Sequence, residues 1–89
     1  MSEQTEAVRV RSARGGDEAA LAALIAKFMP VIRRFARAAV CPGLDFDDAV
    51  QEGYIGLFHA VKSFEEEGGQ ASFSTYATVC IRNAVVAAR

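Results

Sequence analysis

The sequence predicts an all-α fold, a small bundle of three main helices. Apolar residues recur at three- and four-residue steps in three successive segments, and breaks rich in Gly, Pro or acidic residues separate those segments. No strand-length alternation occurs outside them. Eighty-nine residues, 52% hydrophobic and 24% charged, suffice for one small domain and exclude a two-lobed enzyme with a cleft between its lobes.

Residues 1–14 mix Ser, Glu, Gln and Arg with little periodicity and are expected as a flexible lead-in, with the helical domain occupying 15–89. In the first main helix Leu21, Leu24, Ile25, Phe28, Ile32, Phe35 and Ala39 form one buried stripe, with Asp17 or Gly16 placed to cap its open amides. Pro30 lacks the N–H that would bond to the carbonyl of Ala26, so this helix is expected to be kinked or split there. Cys41-Pro42-Gly43 then stops it and turns the chain.

Asp45 is the expected N-cap of the second helix, and Asp47 and Asp48 fall in its first turn, where negative charge meets the positive end of the peptide dipoles. On a wheel of about 100° per residue, Phe46, Val50, Gly53, Leu57, Val61 and Phe64 share one arc of roughly 80°. Gly53 and Gly56 inside this helix cost about 0.8–1.0 kcal/mol each against alanine, which points to close approach of a neighbouring helix. Glu65-Glu66-Glu67-Gly68-Gly69-Gln70 has no apolar member and reads as a surface loop. Ser72 or Ser74 caps a third helix whose inner stripe is Phe73, Ala77, Cys80 or Ile81, Ala84 and Ala88. That helix is expected to be still running at Arg89, as in a domain truncated at its C-terminal end.

Ten Lys and Arg against eleven Asp and Glu leave a formal charge of -1, so a nucleic acid must be met by a local face rather than by the molecule as a whole. Cys41 and Cys80 form no CxxC pair and have His59 as their one histidine, so they are expected as reduced, structural thiols without a metal or cofactor. Met1 to Thr5 is polar and no apolar run reaches the length of a span, which predicts a cytoplasmic chain with no membrane partner. No nucleophile stands near a histidine and no Gly-rich phosphate loop follows a strand, so an enzyme is not expected.

Two faces remain that the core does not use. On the second helix Gln51, Ile55, Phe58 and Lys62 lie on an arc centred roughly 130° from the inner one, flanked by Asp48, Glu52 and His59, with Tyr54 between the arcs. Ile55 and Phe58 amid polar residues have the pattern of anchors for a protein partner, unless the helix kinked at Pro30 wraps far enough to cover them. On the third helix Thr75, Thr78, Arg82, Asn83 and Arg89, with Phe73 and Tyr76 nearby, suit single-stranded nucleic acid: rings stack on splayed bases and guanidinium groups neutralise phosphate. Rings at helical spacing also serve as core, and the pattern alone leaves both readings open.

The run from Asp48 through Gln51, Glu52, Gly53, Ile55 and Gly56 to Leu57, then Ala60, Val61 and Phe64, then the run from Phe73 through Tyr76 to Ile81, Arg82, Asn83 and Ala84, resembles region two of bacterial sigma-70-type RNA polymerase sigma factors. The resemblance covers residues 17–89. It implies an all-helical domain that binds the clamp helices of the largest catalytic polymerase subunit and helps recognise and melt the minus-ten promoter element, mainly through its non-template strand. By position, Asp48, Gln51, Glu52, Tyr54 and Phe58 would contact the polymerase, with Ile55 added from the wheel, and Phe73, Thr75, Tyr76, Arg82 and Asn83 would contact DNA. The Trp pair that primary members carry before Ile-Arg is here Val79-Cys80, which fits an alternative or sporulation-type factor better than a housekeeping one. An anti-sigma factor is a further partner that the polymerase face would suit. The alternative is a non-initiating helical regulator or interaction module that uses a sigma-like surface. With Arg82 and Arg89 as the cations of the third helix, two phosphate contacts at about −0.7 in salt slope each predict weak DNA affinity for this chain alone.

Overall fold

A computed structural model of the chain describes residues 3–64 and 72–89. The acidic run 65–70, expected as a surface loop, lies outside the described residues. Four helices follow one another: α1 (Glu3–Arg14), α2 (Glu18–Ala39), α3 (Phe46–Ser63) and α4 (Phe73–Ala87), with no strand among the described residues. None of these helices is long and apolar enough to cross a membrane.

The first finding corrects the expected lead-in, because residues 3–14 form α1, which packs on α2. Val10 is 2% exposed within the core. The buried Glu6 carboxylate pairs with Lys27 and accepts from the Ser74 hydroxyl at 2.9 Å. Arg14 donates from Nε to the Val61 carbonyl at 2.9 Å and from Nη2 to the Phe64 carbonyl at 2.6 Å, satisfying carbonyls at the open end of α3. These partners lie far along the chain and are mostly polar, so local apolar periodicity carries no trace of them.

In α2 the Asp17 carboxylate accepts from the N–H groups of Ala19 and Ala20, which selects Asp17 over Gly16 as the cap. The helix runs unbroken through Pro30 rather than splitting. Pro30 and Ala26 are both exposed, so water can satisfy the carbonyl that proline leaves free. Leu24, Phe28, Ile32, Ala36 and Ala39 are the buried stripe, while Leu21, Ile25 and Phe35 are half-buried.

Cys41 and Leu44 exchange backbone hydrogen bonds across Pro42-Gly43, with Gly43 at φ +90°, a conformation that glycine adopts without a Cβ clash. The turn brings α3 back against α2. Asp45 caps α3 through the Asp48 N–H at 2.8 Å. Gly53, Leu57, Val61 and Phe64 are buried as the wheel requires, Phe46 and Val50 are half-buried, and Ala49, Gly56 and Ala60 join the core. Both helical glycines mark close crossings. A Cβ on Gly53 would lie 2.8 Å from Cγ2 of Ile32, and one on Gly56 would lie 2.7 Å from the Cys80 carbonyl oxygen and 2.9 Å from Cα of Ile81. Accordingly α3 makes its most extensive contact with α4 and its next with α2.

Ser72 is the cap of α4, accepting from the Thr75 N–H at 3.3 Å. Phe73, Ala77, Ile81 and Val85 are buried, so Ile81 rather than Cys80 continues the stripe; Cys80, Ala84 and Ala88 are half-buried. The helix was expected to reach Arg89 but gives way at Ala87, where the N–H groups of Ala88 and Arg89 reach back only three residues to Val85 and Val86.

Candidate functional site

With the inner side of α3 engaged by α2 and α4, its outer side faces solvent. Ile55 is 57% exposed and Phe58 38% exposed, among the largest exposed apolar side chains of the described residues. Asp48, Gln51, Lys62 and His59 are exposed around them, and Glu52 is half-buried. Because α2 meets α3 at Gly53 and does not wrap beyond it to Ile55 or Phe58, the covering that a kink at Pro30 would allow does not occur. Tyr54 is half-buried at the α2 edge, and its hydroxyl donates to Sδ of Met29 at 3.6 Å. The six α3 residues thus lie on one contiguous side, four of them exposed.

The α4 set divides. Thr75, Arg82 and Asn83 are exposed, and Tyr76 is half-buried, its hydroxyl 2.7 Å from that of Ser63 and its ring 5.7 Å from Phe64. Phe73, expected among the DNA contacts, is 3% exposed and belongs to the core. Its ring meets Phe64 at 5.3 Å and Phe28 at 5.8 Å, edge-on in both cases, which is a stable geometry for packed aromatics and leaves no face for a base. Thr78 is half-buried and donates its hydroxyl to the Ser74 carbonyl.

Sequence reasoning left out two exposed apolar residues, Val79 and Val86. With Thr75 and Arg82 they follow steps of four and three residues, which place all four within about 60° of one another around α4. The seven-residue recurrence of Val79 with Val86 and of Arg82 with Arg89 is the signal that could have found this stripe.

The two sides meet. Where Gly56 lets α3 approach the α4 backbone, Ile55, Gly56, His59, Cys80, Asn83 and Ala84 line an open groove of about 410 Å³, so a residue of each candidate set borders the same depression. Among the described residues no three His, Cys, Asp or Glu side chains gather.

Comparison with known proteins agrees with the pattern. Residues 24–89 match the Sigma-70 region 2 family. The chain is 38% identical over 73 residues to the RNA polymerase sigma-H factor of Bacillus subtilis (strain 168), covering 82% of this chain and 33% of that protein. The sigma-H factor of Bacillus licheniformis gives 38% over 73 residues, 82% of this chain and 32% of the relative. RNA polymerase sigma factor SigA of Nostoc sp. (strain PCC 7120 / SAG 25.82 / UTEX 2576) is 50% identical over 46 residues, 52% of this chain and 12% of its own length. The chain therefore spans about a third of the length of its sigma-H relatives. No solved structure matches it. The matched motifs and the all-helical architecture together establish that this chain belongs to the RNA polymerase sigma-70 family and carries that family's region 2.

Proposed function

We propose that this chain acts in transcription initiation as the part of a sigma factor that docks on the clamp helices of the polymerase core and helps recognise and melt the minus-ten element. Docking uses the outer side of α3, with Ile55 and Phe58 as anchors and Asp48, Gln51, Glu52 and Tyr54 as their polar rim. The carrying observation is the exposure of Ile55 and Phe58 on a helix whose other side already closes the core. Burying a side chain of that size against a partner contributes about 1.5–3 kcal/mol, and a polar rim that excludes water is the usual setting of such anchors.

Strand capture uses the outer side of α4. Arg82 neutralises phosphate, Asn83 and Thr75 supply hydrogen bonds, and the half-buried Tyr76 offers a ring edge, while Phe73 supports the helix from within. Val79 in place of an indole gives weaker support to an opened duplex, in keeping with an alternative rather than a primary factor. The role needs no catalytic residue, and a partner of the polymerase works in the cytoplasm.

The test is retention of the 89-residue chain on the immobilised clamp coiled coil. Phe58→Ala is expected to weaken binding at least tenfold, the equivalent of about 1.4 kcal/mol. Gln51→Ala is expected to weaken it less, and both variants should melt at the wild-type temperature. Equal retention of wild type and both variants would remove α3 from the interface.

A further inference from the structure

Among the described side chains of α1, Val10 is the one buried apolar group, with Ala13 packed half-buried against the core. A helix of 12 residues is marginal in water by itself, so α1 owes its place to what it touches. Two of its polar side chains reach beyond α2 to one end of the bundle. Arg14 holds the last turn of α3 through the Val61 carbonyl and its cap through that of Phe64, and Glu6 holds the first turn of α4 through the Ser74 hydroxyl. Lys27 of α2 pairs with the same carboxylate, and Glu6 is 6% exposed. Desolvation offsets most of what a buried ion pair contributes, so stability by itself does not account for placing Glu6 there.

Both contacts stand next to the ring assigned to strand capture. Tyr76 reaches from α4 to α3, its hydroxyl 2.7 Å from that of Ser63 and its ring 5.7 Å from Phe64. Ser63 directly precedes Phe64, whose carbonyl accepts from Nη2 of Arg14 at 2.6 Å, and Ser74 stands two residues before Tyr76. Thr75 lies between them. Its N–H donates to the Ser72 hydroxyl oxygen, and that of Tyr76 donates to the Ser72 carbonyl. A shift of either helix end moves the Tyr76 ring relative to Ser63, and Arg14 and Glu6 oppose that shift from the two ends.

We infer that Glu6 and Arg14 are positioning residues for strand capture: from α1 they fix the end of α3 and the start of α4, and so hold Thr75 and Tyr76 in the orientation that meets the strand. The inference rests on the strand-capture reading of α4. Neither residue touches nucleic acid in this role, since the Glu6 carboxylate is occupied by Lys27 and Ser74 and Arg14 is occupied by two carbonyls. The outer side of α3 with Ile55 and Phe58 is set instead by the close crossings at Gly53 and Gly56, so docking on the polymerase does not depend on these two residues.

The experiment compares wild type with the double variant Glu6→Ala/Arg14→Ala, whose two charge changes cancel, so overall attraction to DNA is retained. Alanine also keeps α1 a good helix former. Amide hydrogen exchange, affinity for a single-stranded minus-ten oligonucleotide and affinity for the clamp coiled coil are read well below the melting temperature, at low ionic strength where a few phosphate contacts give measurable binding. In the double variant the Thr75 and Tyr76 amides are expected to exchange about tenfold faster while that of Ile32 in α2 is unchanged; oligonucleotide affinity falls about tenfold, and coiled-coil affinity stays at wild type. Val10→Ala, which loosens α1 through its apolar contact, and Arg82→Ala, which removes a direct contact, are the references. Unchanged exchange at Thr75 and Tyr76 would overturn the positioning. Oligonucleotide affinity that follows melting temperature alone, with Val10→Ala losing as much as the double variant at equal melting temperature, would reduce both residues to scaffold and overturn it as well. Faster exchange with wild-type oligonucleotide affinity, alongside weakened Arg82→Ala, would break the link to strand capture and leave that reading of α4 intact. If Arg82→Ala also binds as wild type, the strand-capture reading fails and the proposal with it. Should the double variant melt early, Glu6→Gln/Arg14→Gln, which also cancels in charge, gives the same comparison with a smaller expected loss, and unchanged exchange there would equally overturn the proposal.

Discussion

Replacing Gly56 with alanine destabilises the domain by about 2–3 kcal/mol, although alanine is the better helix former by about 0.8–1.0 kcal/mol. The sign follows from what the new methyl meets: the Cys80 carbonyl oxygen at 2.7 Å, Cα of Ile81 at 2.9 Å and Cβ of Ala84 at 3.0 Å. Two of these three are α4 backbone, which cannot rotate aside, so α3 and α4 must separate along their whole contact. At about 4–8 °C per kcal/mol for a domain of this size, a thermal melt should fall by about 10 °C or more. Gly53→Ala is the control. Its methyl meets one atom below 3.0 Å, Cγ2 of Ile32 at 2.8 Å, a side-chain atom rather than backbone, and its loss should be smaller. A Gly56→Ala variant that melts at or above wild type would show that the helices do not cross so closely. Because the groove between Ile55 and Asn83 exists at this crossing, the same substitution should also disturb both candidate interfaces.

Phe73→Ala is the second large effect, a loss of about 3–5 kcal/mol in chemical denaturation. The ring fills the junction of α2, α3 and α4 against Phe28 and Phe64, and its removal leaves a cavity that neither neighbour can close alone. Phe73→Leu should recover much of the loss. If Phe73→Ala instead stays within about 0.5 kcal/mol of wild type, the ring is not core. The contrast bears on function, because weakened promoter binding in Phe73→Ala would report unfolding, whereas the same weakening in Arg82→Ala, at an exposed position, would report a lost contact.

The misplacement of Phe73 shows where pattern reading stops. A ring at the first position of a capped helix satisfies both a stacking platform and a core stripe, and helical spacing cannot separate them. What separates them is the arrival of Phe28 and Phe64 from two other helices. The outer side of α3 was legible because its inner arc was already full: once Gly53, Leu57, Val61 and Phe64 point inward, the 3.6-residue period obliges Gln51, Ile55 and Phe58 to point outward. The α1 helix escaped notice because its anchors are Glu6 to Lys27 and Ser74, and Arg14 to the end of α3, polar pairings with no local rhythm.

By itself, the order of residues determined the helical class, the cap at Asp45, the turn at Pro42-Gly43, and the close approach at two helical glycines, and it narrowed the other two caps to Asp17 or Gly16 and Ser72 or Ser74. All of these are set by the chemistry of a residue and its neighbours within a turn or two. Tertiary structure alone decided that residues 3–14 fold onto the bundle, that Phe73 is core, that α2 passes Pro30 unbroken, and that Tyr54 packs on Met29 at the α2 edge. Each of those depends on groups brought together from distant parts of the chain, whose contacts carry energy only when the helices are packed.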